Sequence, residues 1–251
     1  MRDAVVTTAG SRIRWVEIPG AEPTRVYVHG LGASSPVYYA AVTHHPALAG
    51  RRSLLIDLLG FGISDRPADF GHTLPEHADA LAAALDAAGV RDAEVIGHSM
   101  GGAVAILLAD RRPDLVARLV VAEAPLDAKP TENPPAGSVF AHTPETFLAR
   151  GFAETLERVG PFWAATMRLA DPLAVLGSAV GLARNTTPTV RETLAKLTLP
   201  RTFLAGDRGE ELRDADGLRA AGVRVVTIAD SGHNVMIDNP DAFARAVAGA
   251  A

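Results

Sequence analysis

The feature that most restricts this chain is a serine hemmed in by glycines, Gly97-His98-Ser99-Met100-Gly101-Gly102. It lies between a β-rich run, Ala93 to Ile96, and a run with helical spacing, Met100 to Asp110. A strand that turns directly into a helix leaves its corner residue with strained backbone angles. Positions two before and two after the corner pass so close together that a side chain there clashes, which accounts for the glycines. The corner residue is lifted out at the carboxyl edge of a sheet, above a helix N-terminus that favours developing negative charge. A serine there is a candidate nucleophile. As a bare pattern G-x-S-x-G also reads as a Gly-rich turn with an N-cap serine. Its place between this strand and this helix argues for chemistry.

The rest of the chain supplies the sheet that such a corner needs. Ala4 to Thr8 and Arg12 to Ile18 read as strands around an Ala9-Gly10-Ser11 turn. Arg25 to Val28, Arg52 to Asp57 and Arg118 to Ala122 are further β-rich runs, and Leu74 to Ala88 is a helix stopped by Gly89. Strand and helix in alternation predict a parallel sheet covered on both faces. From Pro125 to Thr198 no strand is expected. Ala128 to Gly137 reads as a linker, followed by helical stretches carrying Phe140, Phe147, Phe152, Phe162, Trp163 and Met167. The alternation resumes with strand Arg201 to Ala205, helix Glu211 to Ala221, strand Val223 to Ala229 and helix Asp241 to Ala248. The expected organisation is an α/β core from residues 1–124 and 199–251, with a helical insertion over 125–198.

Composition narrows the function classes. The chain of 251 residues is 48% hydrophobic and 21% charged, enough for a large core that needs no staple. It contains no cysteine, so disulfides, thiol catalysis and thiolate metal sites are excluded; a reducing cytoplasm fits this composition. The net charge is −5 and no Lys/Arg cluster exceeds a pair, which argues against a nucleic-acid partner. Met1 to Gly20 lacks the apolar stretch of a signal peptide, and Pro172 to Ala183 is too short to span a membrane. Neither a membrane nor a nucleic acid is an expected partner, and the oligomeric state is open.

The elbow, the His29-Gly30-Leu31-Gly32 loop, the Asp57-Leu58-Leu59-Gly60-Phe61-Gly62-Ile63-Ser64-Asp65-Arg66-Pro67 loop and the Ser231-Gly232-His233-Asn234 segment follow one another in order. Together they resemble the α/β-hydrolase superfamily over nearly the whole chain, the lipase- and esterase-like branch most closely. The resemblance implies a mostly parallel, twisted sheet of about eight strands with a helical cap. It implies no cofactor and no metal. It also implies a two-part oxyanion hole, from the backbone N–H of Met100 and that of Leu31, with Gly32 as a substitute for Leu31. Gly30, in the same loop, and His98 are candidates for contact with the substrate. Asp57, Asp65 and Arg66 read as structural, and Gly60-x-Gly62 lacks the third glycine and the lysine of a phosphate loop.

A serine nucleophile needs a base, and histidine titrates near neutrality. Of eight histidines only His142 and His233 follow Ser99, as the fold's Ser–acid–His order requires. His142 falls in the insertion; His233 follows the last strand in a Gly-His loop similar to the family's and is the expected catalytic base. His98 is expected to pack beside the nucleophile.

The acid is ambiguous. By resemblance its commoner place is three residues past Gly206, at Gly209, which has no carboxylate; Asp207 is early and Glu210 one residue late. The other place, after the strand that follows the elbow helix, holds Glu123, as in the haloalkane-dehalogenase branch. A carboxylate ending the apolar run Leu119 to Ala122 is costly without a partner. Glu123 is preferred, with a structural carboxylate as its plainer role and Asp207 or Glu210 as alternatives. The expected activity is covalent acyl transfer on a small or medium apolar substrate, cleaving an ester-type bond. Phe140, Phe162 and Trp163, with Leu173, Val175, Leu176 and Leu182, are candidates for an apolar pocket wall. Lactonase, thioesterase, carbon–carbon bond hydrolase, cofactor-free haloperoxidase and non-catalytic binding roles remain open. A serine nucleophile disfavours chemistry that starts from an aspartate.

Overall fold

In a computed structural model, which describes residues 1–129, 134 and 137–249, eight strands form one sheet in the order β1-β2-β4-β3-β5-β6-β7-β8. They are β1 (Arg2–Val5), β2 (Arg12–Ile18), β3 (Ala21–Val28), β4 (Arg51–Asp57), β5 (Ala93–His98), β6 (Val116–Ala122), β7 (Arg201–Gly206) and β8 (Arg224–Ile228). β2 runs antiparallel to both β1 and β4; every other pairing is parallel.

The central strands are buried on both sides, and the period of two shows in where each residue goes. Val26, Val28, Leu54, Ile56 and Val95 point into one core, while Tyr27, Leu55 and Ile96 point into the other. The first core is covered by α2 (Leu74–Ala87) and α3 (Met100–Arg111), the second by α1 (Ser35–Thr43) and by Phe243, Ala244 and Val247 of the C-terminal helix. Thr73 and Glu76 form a capping box that starts α2, and Gly89, at φ +66°, follows its end.

Between β6 and β7 the chain leaves the sheet. After short helical turns at Val139–Ala141, α4 (Pro144–Thr146) and Phe147–Gly151 come α5 (Phe152–Arg158), α6 (Gly160–Met167), α7 (Pro172–Arg184) and α8 (Val190–Lys196). No strand occurs there among the described residues. The fold closes with α9 (Ala215–Ala220), α10 (Val235–Asp238) and α11 (Pro240–Ala248). No described helix is long and apolar enough to cross a membrane.

Some expectations need correction. The helix over Glu211 to Ala221 shrinks to α9, because Asp214 turns left-handed at φ 47° and its carboxylate caps Gly217 N–H. The first strand is Arg2–Val5 rather than Ala4 to Thr8, because Thr7 already belongs to the turn, its carbonyl accepting Gly10 N–H at 3.0 Å. α1 and α10 had no sequence counterpart. Residues 130–133, 135 and 136 of the Ala128 to Gly137 linker lie outside the described residues.

Candidate active site

At the end of β5 the chain turns through Ser99, whose φ of 50° and ψ of −121° lie where few non-glycine residues settle. A Cβ on Gly97 would come within 2.5 Å of the Gly101 carbonyl. One on Gly101 would come within 2.3 Å of the His29 carbonyl. The glycines thus let α3 start flush against the strand ends. Ser99 N–H donates to the Ala122 carbonyl at 2.8 Å, tying the corner to β6.

His233 comes to this corner from the loop after β8. Its Nε2 lies 3.0 Å from Ser99 Oγ. Its loop is held from three sides. Asp207 accepts the backbone N–H groups of Asp230 and Ser231, both at 3.0 Å. Asp238 accepts Gly232 N–H at 2.9 Å. His98 Nε2–H donates to the His233 carbonyl at 2.8 Å, a partner that can only accept and so fixes the His98 tautomer. Burial, helped by the neighbouring His233, pushes the His98 pKa down to about 3, so this ring stays neutral. Gly206 is needed because the same loop crosses it: a Cβ would stand 2.3 Å from the Ser231 carbonyl.

Behind His233 stands Glu123, at φ 53° directly after β6. Its Oε2 lies 3.4 Å from His233 Nδ1 and its Oε1 accepts Gly206 N–H at 2.7 Å. A carboxylate can only accept, so the proton sits on Nδ1 and Nε2 is free to take one from Ser99. The 3.4 Å contact exceeds the roughly 2.7–2.9 Å of a tight ionic bond; such contacts shorten as charge grows on the ring. The two alternative acids lie elsewhere. The Asp207 carboxylate is occupied by loop amides. The Glu210 side chain is 87% exposed and faces Lys129 at 3.8 Å.

The loop after β3 is braced by His29, which is buried. Its Nδ1–H donates to the Gly30 carbonyl at 2.7 Å and its Nε2 accepts Leu58 N–H at 3.0 Å. Burial lowers its pKa against the opposing pull of Asp57, keeping the ring neutral. A peptide is planar and trans. Holding the Gly30 carbonyl oxygen therefore restrains, from one end, the Leu31 N–H at the other end of the same unit. Met100 N–H is among the donors that a helix start leaves without an intrahelical partner. Asp57 organises the neighbouring loop, accepting Ser35 N–H, Ser34 Oγ–H and Ile63 N–H.

Ser99 sits between two spaces of unequal size. On one side a cleft of about 830 Å³ is lined by Leu31, Phe140, Leu182, Phe203 and Leu212, with Lys129 and Arg191 among its charged residues. That volume is within the range of small-molecule sites. On the other, a space of about 10 Å³, room for one water-sized group, is lined by Gly30, Tyr38, His98 and Trp163. Of the expected wall residues, Phe140 and Leu182 reach the cleft. Phe162 does not line either space; it is 44% exposed and packs on Tyr38 at 5.2 Å. Leu173 is 42% exposed, while Val175 and Leu176 are packed into the core. Sequence reasoning missed Tyr38 and Asn234 beside the nucleophile, and no local pattern marks either. It also missed the bracing by Asp207, though its place after the β7 glycine was a usable signal. Among the described residues no three His, Asp or Glu are set to hold a metal.

These strands, loops and corner recur in known proteins. The family described as "alpha/beta hydrolase fold" matches residues 26–196. A 2-hydroxymuconate semialdehyde hydrolase of Pseudomonas putida is 36% identical over 94 residues, covering 38% of this chain and 34% of that protein. A haloalkane dehalogenase of Mesorhizobium japonicum is 33% identical over 113 residues, 45% of this chain and 36% of that one. The matched region thus spans about a third of these curated relatives' length. A hydrolase from Pseudomonas aeruginosa PA01 superposes with a TM-score of 0.77 at 25% identity, covering 99% of this chain and 97% of that one. With the family match running from β3 to the end of α8, and the sheet order and elbow in place, the chain belongs to the α/β-hydrolase-fold family.

Proposed function

We propose that this chain is a serine hydrolase that cleaves an ester-type bond of a small or medium apolar substrate through an acyl-enzyme on Ser99. One observation carries the reading: Ser99 Oγ, the His233 ring and the Glu123 carboxylate stand in series, at 3.0 and 3.4 Å. Ser99 Oγ attacks the carbonyl carbon while His233 Nε2 takes its proton. Glu123 holds the ring and stabilises the cation that forms. The oxyanion rests on the N–H groups of Leu31 and Met100. His233 then protonates the leaving oxygen, and a water molecule, activated by the same ring, releases the acid. The helices between β6 and β7 serve as a cap whose Phe140 and Leu182 give the cleft an apolar wall.

A fluorophosphonate probe tests the reading. Wild type is expected to label and Ser99→Ala not to; equal labelling of the two overturns it. A panel of esters, lactones and thioesters then finds the bond class. The 2-hydroxymuconate semialdehyde hydrolase relative supports a second reading, carbon–carbon bond hydrolysis by the same Ser99 and His233. Turnover of 2-hydroxymuconate semialdehyde with no ester turnover would favour it. The dehalogenase relative carries less weight, because a serine in place of a carboxylate nucleophile does not suit halide displacement.

A further inference from the structure

Among the described residues, one side-chain hydrogen bond joins the cap to the 29–32 loop. Trp163, in α6, donates its indole Nε1–H to the Leu31 carbonyl at 2.7 Å. Leu31 lies between two peptide units. The first, Gly30–Leu31, carries the N–H assigned above to the oxyanion, and the core holds its carbonyl end through His29 Nδ1–H at 2.7 Å and Ala33 N–H at 3.1 Å. The second, Leu31–Gly32, has its carbonyl held by Trp163. The relative rotation of two adjacent peptide planes is set by φ and ψ of the residue between them, so fixing both planes fixes Leu31. The loop has little stiffness of its own, since glycines flank Leu31 on both sides. α6 also closes over Gly32, at φ 65°, where a Cβ would meet Met167 Cε at 2.6 Å.

We propose that the cap completes the oxyanion hole: through its bond to the Leu31 carbonyl, Trp163 is a positioning residue that holds the Leu31 N–H in line for the tetrahedral oxyanion. The proposal rests on the acyl-transfer reading. Electrostatic stabilisation depends on donors already in place when charge develops, so a slack donor weakens the transition state more than the bound substrate. A cap that lifts breaks this bond and slackens the donor, so turnover requires the cap to be seated. A residue that only glued the cap down, or only walled the pocket, would alter substrate affinity instead.

Trp163→Phe keeps an aromatic ring and deletes the N–H. Loosening a donor costs less than the 10²–10³ of removing one, so kcat is expected to fall about tenfold with KM within about twofold. The rate of fluorophosphonate inactivation and the affinity for a boronic acid that forms a tetrahedral adduct on Ser99 fall by the same factor. Wild-type kcat and inactivation rate in Trp163→Phe, or a raised KM with kcat unchanged, overturn the proposal. Should Trp163→Phe lose its cooperative melting, the wild type gives the answer. The chain has two tryptophans, Trp15 and Trp163, so Trp15→Phe assigns their indole protons. Phosphonylation of Ser99 is expected to shift the Trp163 indole proton and slow its exchange; an unmoved resonance overturns the proposal. A wild type that does not react with the probe overturns the acyl-transfer reading and this inference with it. A wild type that reacts at the same rate as Trp163→Phe overturns this inference alone.

Discussion

Glu123 has room for its carboxylate because residue 209 has no side chain. A Cβ on Gly209 would lie 3.0 Å from Glu123 Oε1 and 3.1 Å from Oε2. The space that a side chain at 209 would enter is therefore taken by a carboxylate reached from a different strand. Two carboxylates in that space would repel one another, so the chain has room for one. If Glu123 orients and stabilises His233, Glu123→Gln should lower kcat by about 10²–10⁴ with little change in melting temperature. Turnover near wild type would return the role to Asp207 or Glu210. A transplant is the sharper check. Glu123→Gly suits the φ of 53° and empties the space, and adding Gly209→Asp should recover at least about tenfold of the lost kcat. The preference for Glu123 was legible in the sequence because Gly209 lacks a carboxylate. The bonds of Asp207 were not legible: its two amide partners belong to Asp230 and Ser231, and only the folded chain brings them near.

At the scale of elements, the corner between β5 and α3 is a contact between backbones. A Cβ on Gly101 would meet the carbonyls of Val28 and His29 at 2.5 and 2.3 Å, atoms at the end of β3 and the start of the loop that follows it. No rotamer relieves a clash with backbone, so Gly101→Ala must move α3 or the end of β3. It should cost about 1–3 kcal/mol in urea unfolding and lower activity more than tenfold. Gly102→Ala, which meets the Ala124 side chain at 2.7 Å, should cost less. An alanine at 101 with wild-type stability would contradict this packing. The glycine spacing made the corner legible, and alternating apolar runs made most strands so. The missed helix α1 shows the limit. Its Tyr38, Tyr39 and Val42 are buried, but the exposed face carries Val37, Ala40 and Ala41, so no contrast of polar and apolar residues reveals the helical period. The extent of the strands at the sheet centre was blurred for a similar reason: runs buried on both faces lose alternation.

Over the whole molecule, four of the eight histidines are used as buried building material. His29, His72, His77 and His98 are all buried, and burial lowers the pKa of each. His72 and His77 lie 5.6 Å apart between α2 and α7, and His77 Nε2 is 3.1 Å from Ser178 Oγ on α7. The groups facing the pair offer limited relief. Asp171 and Glu76 pull the His72 pKa up, while His72 and His29 push that of His77 further down. An unfolded histidine takes a proton near pH 6.5, whereas these folded ones resist it. Below that pH the unfolded chain binds more protons than the folded one, so stability is full above about pH 6.5 and falls as the pH drops. Each such histidine contributes a slope of up to about 1.4 kcal/mol per pH unit. For His98 this continues down towards its folded value of about 3. The pair packs between α2 and α7, so acid strains the contacts that seat α7. Urea unfolding at pH 7.0 and at pH 5.5 should show the wild type clearly weaker at the lower pH. His77→Asn should lower stability at pH 7.0 but lose less between the two pH values, by up to about 1.4 kcal/mol over that interval. Equal losses in the two proteins would mean that His77 does not resist protonation in the fold, and that its contact with Ser178 is not what acid attacks.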